Sequence, residues 1–88
     1  MTKNIKYFKA SWCGNCRTFE PIFDKLMKNY PDVTVAKIDV DAASDDTLTA
    51  YHITDLPHIA YEDTSKSTYI VHLKPNKDTI DEFLRSQQ

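Results

Sequence analysis

The only two cysteines of the 88-residue chain, Cys13 and Cys16, lie three positions apart at the start of a run with helical periodicity. This spacing places Cys13 at a helix N-terminus, where free backbone N–H groups and the helix dipole favour its thiolate form, and Cys16 one turn further along. Gly14 and Asn15 between them are small and turn-tolerant, so we expect the sulfurs to reach bonding distance. A disulfide that closes so short a loop restrains little of the unfolded chain. The pair therefore indicates a redox or metal role.

Length and charge narrow the class of protein further. A chain of 88 residues with a net charge of −2 predicts one domain over residues 1–88, with no basic surface for nucleic acid. No stretch approaches the roughly 20 apolar residues of a membrane span, and the first residues do not resemble an export signal. We therefore expect a monomer in the cytoplasm that binds neither nucleic acid nor membrane.

Periodicity predicts seven elements in the order β-α-β-α-β-β-α. The predicted strands cover residues 5–10, 33–40, 58–62 and 68–73, and the last two are joined by a polar turn over 63–67. The predicted helices run from Cys13 to Tyr30, from Ser44 to about Tyr51, and onward from Asn76 as N-cap. One crossover unit followed by a hairpin gives an α/β fold with a four-stranded mixed sheet flanked by helices.

The sequence also predicts how two of these elements are buried. The first helix has one apolar stripe, which we interpret as core, and Pro21 within it predicts a kink without an end. The strand over 33–40 is β-branched and nearly continuous, which is typical of a strand covered by helices on both faces. The residues of the stripe are Phe19, Ile22, Phe23, Leu26, Met27 and Tyr30.

Three motifs together resemble the thioredoxin family. They are Trp12-Cys13-Gly14-x-Cys16 after a first strand, Pro21 five residues beyond the second cysteine, and Ile53-x-x-Leu56-Pro57 some forty residues later. The resemblance extends over nearly the whole chain and implies the thioredoxin fold. It lacks the family's N-terminal strand and helix, so we expect the minimal β-α-β-α-β-β-α version that glutaredoxins share.

The resemblance also implies roles for individual residues. Cys13 would be the exposed nucleophile and Cys16 the buried resolving thiol. Trp12 would form part of the apolar rim where a substrate polypeptide docks. Pro57 would follow a cis peptide bond, and the backbone of Leu56 would make strand-like hydrogen bonds with the substrate beside the attacking sulfur.

Several positions depart from the family pattern. Tyr7 stands where typical thioredoxins have a buried aspartate that helps to move the proton of the resolving thiol, whereas its usual partner, Lys37, is present. We hypothesise that Cys16 is deprotonated by water or Lys37, and that the resolving step is slower than in the parent family. Turn glycines are also replaced. We expect His52 to adopt a left-handed backbone conformation, and we assign His72 to the substrate groove.

Two functions from different classes remain open on the sequence alone. The first is a thiol–disulfide oxidoreductase that reduces protein disulfides without a bound cofactor and receives electrons from a thioredoxin-reductase-like or glutathione-type donor. The alternative is a carrier module in which the CxxC pair holds zinc or an iron–sulfur cluster. The other soft ligands, His52, His58 and His72, are far apart in sequence and lack a second paired spacing, which favours the redox function.

Overall fold

Seven elements form in the predicted order. The structure is a computed structural model that describes residues 3–65 and 70–87. Within them it contains strands β1 (Lys3–Lys9), β2 (Thr34–Asp39), β3 (His58–Asp63) and β4 (Ile70–Leu73), and helices α1 (Gly14–Met27), α2 (Asp45–Ala50) and α3 (Lys77–Ser86). The predicted mixed sheet flanked by helices is thus confirmed. Parts of the predicted turn and of the fourth strand, residues 66–69, lie outside the described residues.

The four strands form one sheet in the order β2-β1-β3-β4. Strand β1 pairs parallel with β2 and antiparallel with β3, and β3 pairs antiparallel with β4. Since β1 is an inner strand and α1 follows it after a short turn, the start of α1 lies at the end of a strand supported on both sides. The cysteines therefore sit on one of the best-anchored segments of the fold.

The main core lies between the sheet and the helices α1 and α3. Ile5 and Tyr7 alternate along β1 and point to the same face, where they meet Phe23 of α1 and Ile80 and Leu84 of α3. The rings of Tyr7 and Phe23 lie 4.8 Å apart between centroids. This packing fixes α1, and with it the cysteines, against β1.

The burial predicted for two elements is wrong. Strand β2 is an edge strand among the described residues, and only Val35 and Ile38 are even partly buried in it. Helix α2 is six residues long and has no buried residue of its own. On α1, Ile22 is 42% exposed although it belongs to the apolar stripe. The helix continues through Pro21, as predicted, and ends at Met27.

Local capping signals hold as predicted. The Ser44 hydroxyl accepts a hydrogen bond from the Thr47 N–H at 3.1 Å, and the Asn76 side chain accepts one from the Thr79 N–H at 3.1 Å. Each satisfies a backbone donor that the first turn of a helix leaves free. None of the helices described over residues 3–65 and 70–87 has the length and apolar character needed to cross a membrane.

Candidate active site

The two cysteines form a disulfide at the N-terminus of α1. Cys13 is the N-cap residue, with extended backbone angles (φ −89°, ψ 105°), and its Cα lies 5.3 Å from that of Cys16. The Sγ of Cys13 accepts a hydrogen bond from the Cys16 N–H at 3.1 Å, and the Cys13 N–H donates to the Ala10 carbonyl at 3.1 Å. A donor aimed at the sulfur and the positive end of the helix both favour negative charge on Cys13 once the disulfide is reduced.

The sulfurs differ less in exposure than predicted. Cys16 is 1% exposed, as expected of a resolving thiol, but Cys13 is only 7% exposed in the disulfide form. Both cysteines form a small buried cluster with Ala10, and the partly buried Val40 and Leu56 pack against it. Gly14 has no positive φ, and no atom lies within 4 Å of where its Cβ would be, so the turn does not depend on glycine.

Trp12 stands beside the disulfide as the most exposed large apolar side chain described, at 66%. Its Nε1–H donates a hydrogen bond to Oδ2 of Asp41 at 2.9 Å. An exposed indole held by one polar contact keeps its apolar faces available while its orientation is restricted. This geometry suits the docking role that the family resemblance implies for Trp12.

Two hollows flank Leu56 next to Cys13. The first, of about 470 Å³, is lined by Trp12, Cys13, Gly14, Asn15, Thr54, Asp55 and Leu56. The second, of about 340 Å³, is lined by Asn15, Thr18, Phe19, Ile22, Leu56, Pro57 and Pro75. The peptide bond between Leu56 and Pro57 is cis. The exposed Ile22 thus lines the second hollow, which shares Asn15 and Leu56 with the hollow that Cys13 lines.

His72 lines neither of these hollows, and its assignment to the substrate groove stays a prediction. Its Nδ1 is 3.0 Å from Nε2 of His58, and its ring is 6.4 Å from that of His52. His72 pairs with Ala60 across β3 and β4, which directs it to the face that carries His58, and Pro75 takes the place beside Pro57. His52 has a φ of 52°, as predicted.

The histidine group does not complete a metal site with the cysteines. Across residues 3–65 and 70–87, no group of three or more His, Cys, Asp or Glu side chains is arranged to hold a metal ion. His58 and His72 contact each other, and burial, followed by the charge of His72, lowers the pKa of His58 below its usual value. A carrier module that binds metal through the CxxC pair is not supported.

Tyr7 is fully buried behind the disulfide. Its hydroxyl donates a hydrogen bond to the carbonyl oxygen of Cys16 at 3.2 Å, and not to the sulfur. Burial, followed by the nearby negative charge of Glu20, raises the pKa of Tyr7 to about 12. Tyr7 is therefore a neutral hydrogen-bond donor at physiological pH, and the structure gives it a positioning contact to the backbone of the resolving cysteine.

Lys37 is held by two carboxylates of α1. Its Nζ lies 2.7 Å from Oε2 of Glu20 and 2.9 Å from Oδ1 of Asp24. Burial alone would lower the pKa of Lys37, but the hydrogen bonds to these two carboxylates outweigh it, so the pKa lies above its usual value. Lys37 is thus an ammonium group. These contacts do not favour the hypothesis that it accepts the proton of Cys16, because that would require the neutral amine.

The sequence-based predictions did not include three residues near the site. Glu20 also accepts a hydrogen bond from Nζ of Lys9 at 3.2 Å, and Asp41 and Pro75 contribute to the surroundings of Trp12 and Pro57. The spacing of four residues between Cys16 and Glu20 was the available signal for Glu20, because it places both on one side of a helix. Asp41 and Pro75 carried no local signal.

Comparisons with known proteins agree with this geometry. The thioredoxin family model, described as "Thioredoxin", matches residues 2–86. Thioredoxin O1, mitochondrial, of Arabidopsis thaliana is 39% identical over 59 residues, which are 66% of this chain and 30% of that protein. A thioredoxin of Chlamydia pneumoniae is 37% identical over 68 residues, 76% of this chain and 66% of that protein. The crystal structure of oxidised mitochondrial thioredoxin 3 from Saccharomyces cerevisiae superposes with a TM-score of 0.81 at 26% identity, covering 97% of this chain and 78% of that one. Because the family model matches nearly the whole chain, the chain belongs to the thioredoxin family.

Proposed function

We propose that the chain is a thiol–disulfide oxidoreductase that reduces protein disulfides through Cys13 and Cys16. The observation that carries this proposal is the closed disulfide at the N-terminus of α1, with one sulfur beside an open hollow and the other almost fully buried. A two-step exchange requires a second thiol within bonding distance of the first. Burial of this second thiol keeps external thiols from taking its place. No bound cofactor takes part in such an exchange.

The reaction balances with these two thiols alone. The Cys13 thiolate attacks one sulfur of the substrate disulfide, and the other substrate sulfur leaves with the electron pair of the broken bond. Cys16, as thiolate, then attacks Cys13 within the mixed disulfide and displaces the remaining substrate sulfur. The substrate leaves with two thiols, and the chain is left with the Cys13–Cys16 disulfide that the structure contains.

The surface around Cys13 supports a polypeptide substrate. The exposed Trp12 borders the first hollow, Ile22 and Pro57 border the second, and Leu56 lies between the two. A substrate segment that binds across Leu56 would place its disulfide next to Cys13 and bury its apolar side chains in the two hollows. We propose that the backbone of Leu56 then makes the strand-like hydrogen bonds that the family resemblance implies.

Recycling of the disulfide requires an external reductant. The proposed donor is a thioredoxin-reductase-like protein or a glutathione-type thiol, since thioredoxins are recycled in this way and the disulfide is the end state of each turnover. A reducing compartment, which we propose to be the cytoplasm, would direct the reaction toward reduction of substrates. We also propose that the chain acts as a monomer, which sedimentation of the purified protein would test.

Trapping the mixed disulfide tests the proposed function. Cys16→Ser leaves the attacking thiol but removes the resolving one, so a covalent complex with a disulfide-bearing protein should accumulate. Cys13→Ser, the matched control at the other end of the disulfide, should form none. Equal trapping by both variants, or full turnover by either, would contradict the assigned roles.

A further inference from the structure

The two cysteine residues line different openings. Cys13 lines the hollow beside Trp12, whereas Cys16 lines a separate cavity of about 370 Å³ behind the helix start. This cavity is large enough for several water molecules. Its walls are formed by Lys9, Ala10, Ser11, Cys16, Arg17, Glu20 and Asp39. Cys16 thus lines a cavity whose walls carry charged side chains and which is separate from the hollow beside Trp12.

Glu20 and Asp39 are the two carboxylic acids among these wall residues. Glu20 follows Cys16 by four residues in α1, so both side chains project from one side of the helix. Asp39 ends β2, where it is exposed, and its Oδ1 accepts a hydrogen bond from the Asp41 N–H at 2.9 Å. The placement favours Glu20.

Contacts from two strands hold the Glu20 carboxylate in place. Lys9 of β1 lies 3.2 Å from it and Lys37 of β2 lies 2.7 Å from it, and Lys37 is in turn fixed by Asp24. The hydrogen bond from Lys37 is the largest cause that lowers the pKa of Glu20, so the carboxylate stays ionised through the neutral range. The negative charge of Glu20 also contributes to the raised pKa of Tyr7, whose hydroxyl donates a hydrogen bond to the Cys16 carbonyl.

The other groups near Cys16 do not serve as bases. The Tyr7 hydroxyl is a neutral donor to a carbonyl, and Lys37 already carries its proton. We propose that Glu20 accepts the proton of the Cys16 thiol in the resolving step, through water in this cavity; the inference rests on the proposed function. This proton transfer neutralises Glu20 and leaves the negative charge on the Cys16 sulfur. The Lys9 ammonium remains beside Glu20.

The step is balanced as follows. Cys16 loses its proton to Glu20 while its sulfur bonds to the sulfur of Cys13, and the bond between Cys13 and the substrate sulfur breaks. The electron pair of that bond leaves with the substrate sulfur, which takes a proton from solvent. Glu20 then returns the proton it received to solvent, and two electrons have moved from the dithiol to the substrate.

Single-turnover kinetics separate this role from a structural one. The reduced protein is mixed with a disulfide peptide, and rapid acid quench follows formation and decay of the mixed disulfide between pH 6 and 8. Glu20→Gln should leave formation unchanged but slow decay about tenfold or more, the lower part of the range for general bases. Its decay rate should also rise about tenfold per pH unit, whereas the parent rate stays nearly flat. Glu20→Asp should restore part of the rate.

Asp39→Asn is the matched control, because it removes the other carboxylate of the cavity and should retain the parent kinetics. An unchanged decay rate and pH profile in Glu20→Gln would overturn the proposal, as would equal slowing by Asp39→Asn or equal slowing of formation and decay. Failure of the parent protein to form any mixed disulfide would instead refute the proposed function, and the role of Glu20 with it.

Discussion

Replacing Tyr7 distinguishes a structural role of its hydroxyl from a chemical one. Tyr7→Phe removes one oxygen from a fully buried ring and leaves its contact with Phe23 intact. The lost hydrogen bond is a neutral one of 3.2 Å to the Cys16 carbonyl, which as a helical residue also has a backbone donor from the following turn. We expect a purely structural cost.

The size of that cost follows from the contact. A neutral hydrogen bond contributes about 0.5 to 1.5 kcal/mol to stability, and the carbonyl that loses it keeps another donor, so we expect a loss of about 1 kcal/mol. For a domain of this size, such a loss lowers the melting temperature by about 4–8 °C. Because the pKa of Tyr7 is raised to about 12, the phenol is not a base at pH 7, and the resolving rate should change less than about threefold.

Urea unfolding and acid-quench kinetics on the same preparations measure both quantities. Tyr30→Phe is a matched control, since Tyr30 is also buried and donates its hydroxyl to Asp81 at 2.5 Å, away from the cysteines. Both variants should lose stability and keep their kinetics. A loss of tenfold or more in the resolving rate of Tyr7→Phe, with Tyr30→Phe unaffected, would refute a purely structural role of the Tyr7 hydroxyl.

Three further predictions concern the surface and its pH dependence. Trp12→Phe, which loses the hydrogen bond to Asp41, should raise KM for a protein disulfide several-fold but leave the rate with a small-molecule disulfide unchanged, as steady-state assays with both substrates will show. Ile22→Ser should also raise KM for the protein disulfide and cost under about 1 kcal/mol in urea unfolding, because the side chain is already 42% exposed; a larger cost would place it in the core. His58 has a lowered pKa in the folded state, so between that pKa and its unfolded value of about 6.5 the unfolded chain binds more protons and stability falls as pH falls. Melting curves from pH 7.5 to 5 should therefore drop less for His58→Gln than for the parent, and parallel curves would contradict this linkage.

Short-range signals in the sequence predicted most of the fold. The cysteine spacing, the caps at Ser44 and Asn76 and the alternation of element types each depend on residues within one or two turns of each other, and each prediction is confirmed. The left-handed backbone of His52 followed from the family resemblance, because His52 replaces a turn glycine of the family after the second helix. Family resemblance then supplied the partner segment around Pro57, which lies some forty residues away.

What could not be predicted depends on which elements become neighbours. The periodicity of α1 marks Ile22 as apolar but does not reveal that its side chain is 42% exposed. The pairing of His72 with His58 depends on the register of β3 and β4. The salt bridge from Lys37 to Glu20 requires β2 to lie next to the strand that precedes the cysteines, a long-range fact that neither residue encodes alone.

The redox equilibrium of the cysteine pair tests the central claim most directly. The purified protein would be equilibrated in a series of dithiol/disulfide buffers, and the free thiols of Cys13 and Cys16 counted by mass after alkylation. The proposed function predicts a single reversible two-electron transition in which both thiols disappear together, near the thioredoxin value of about −270 mV. Loss of one thiol without the other, or the absence of any reversible transition, would contradict a dithiol oxidoreductase.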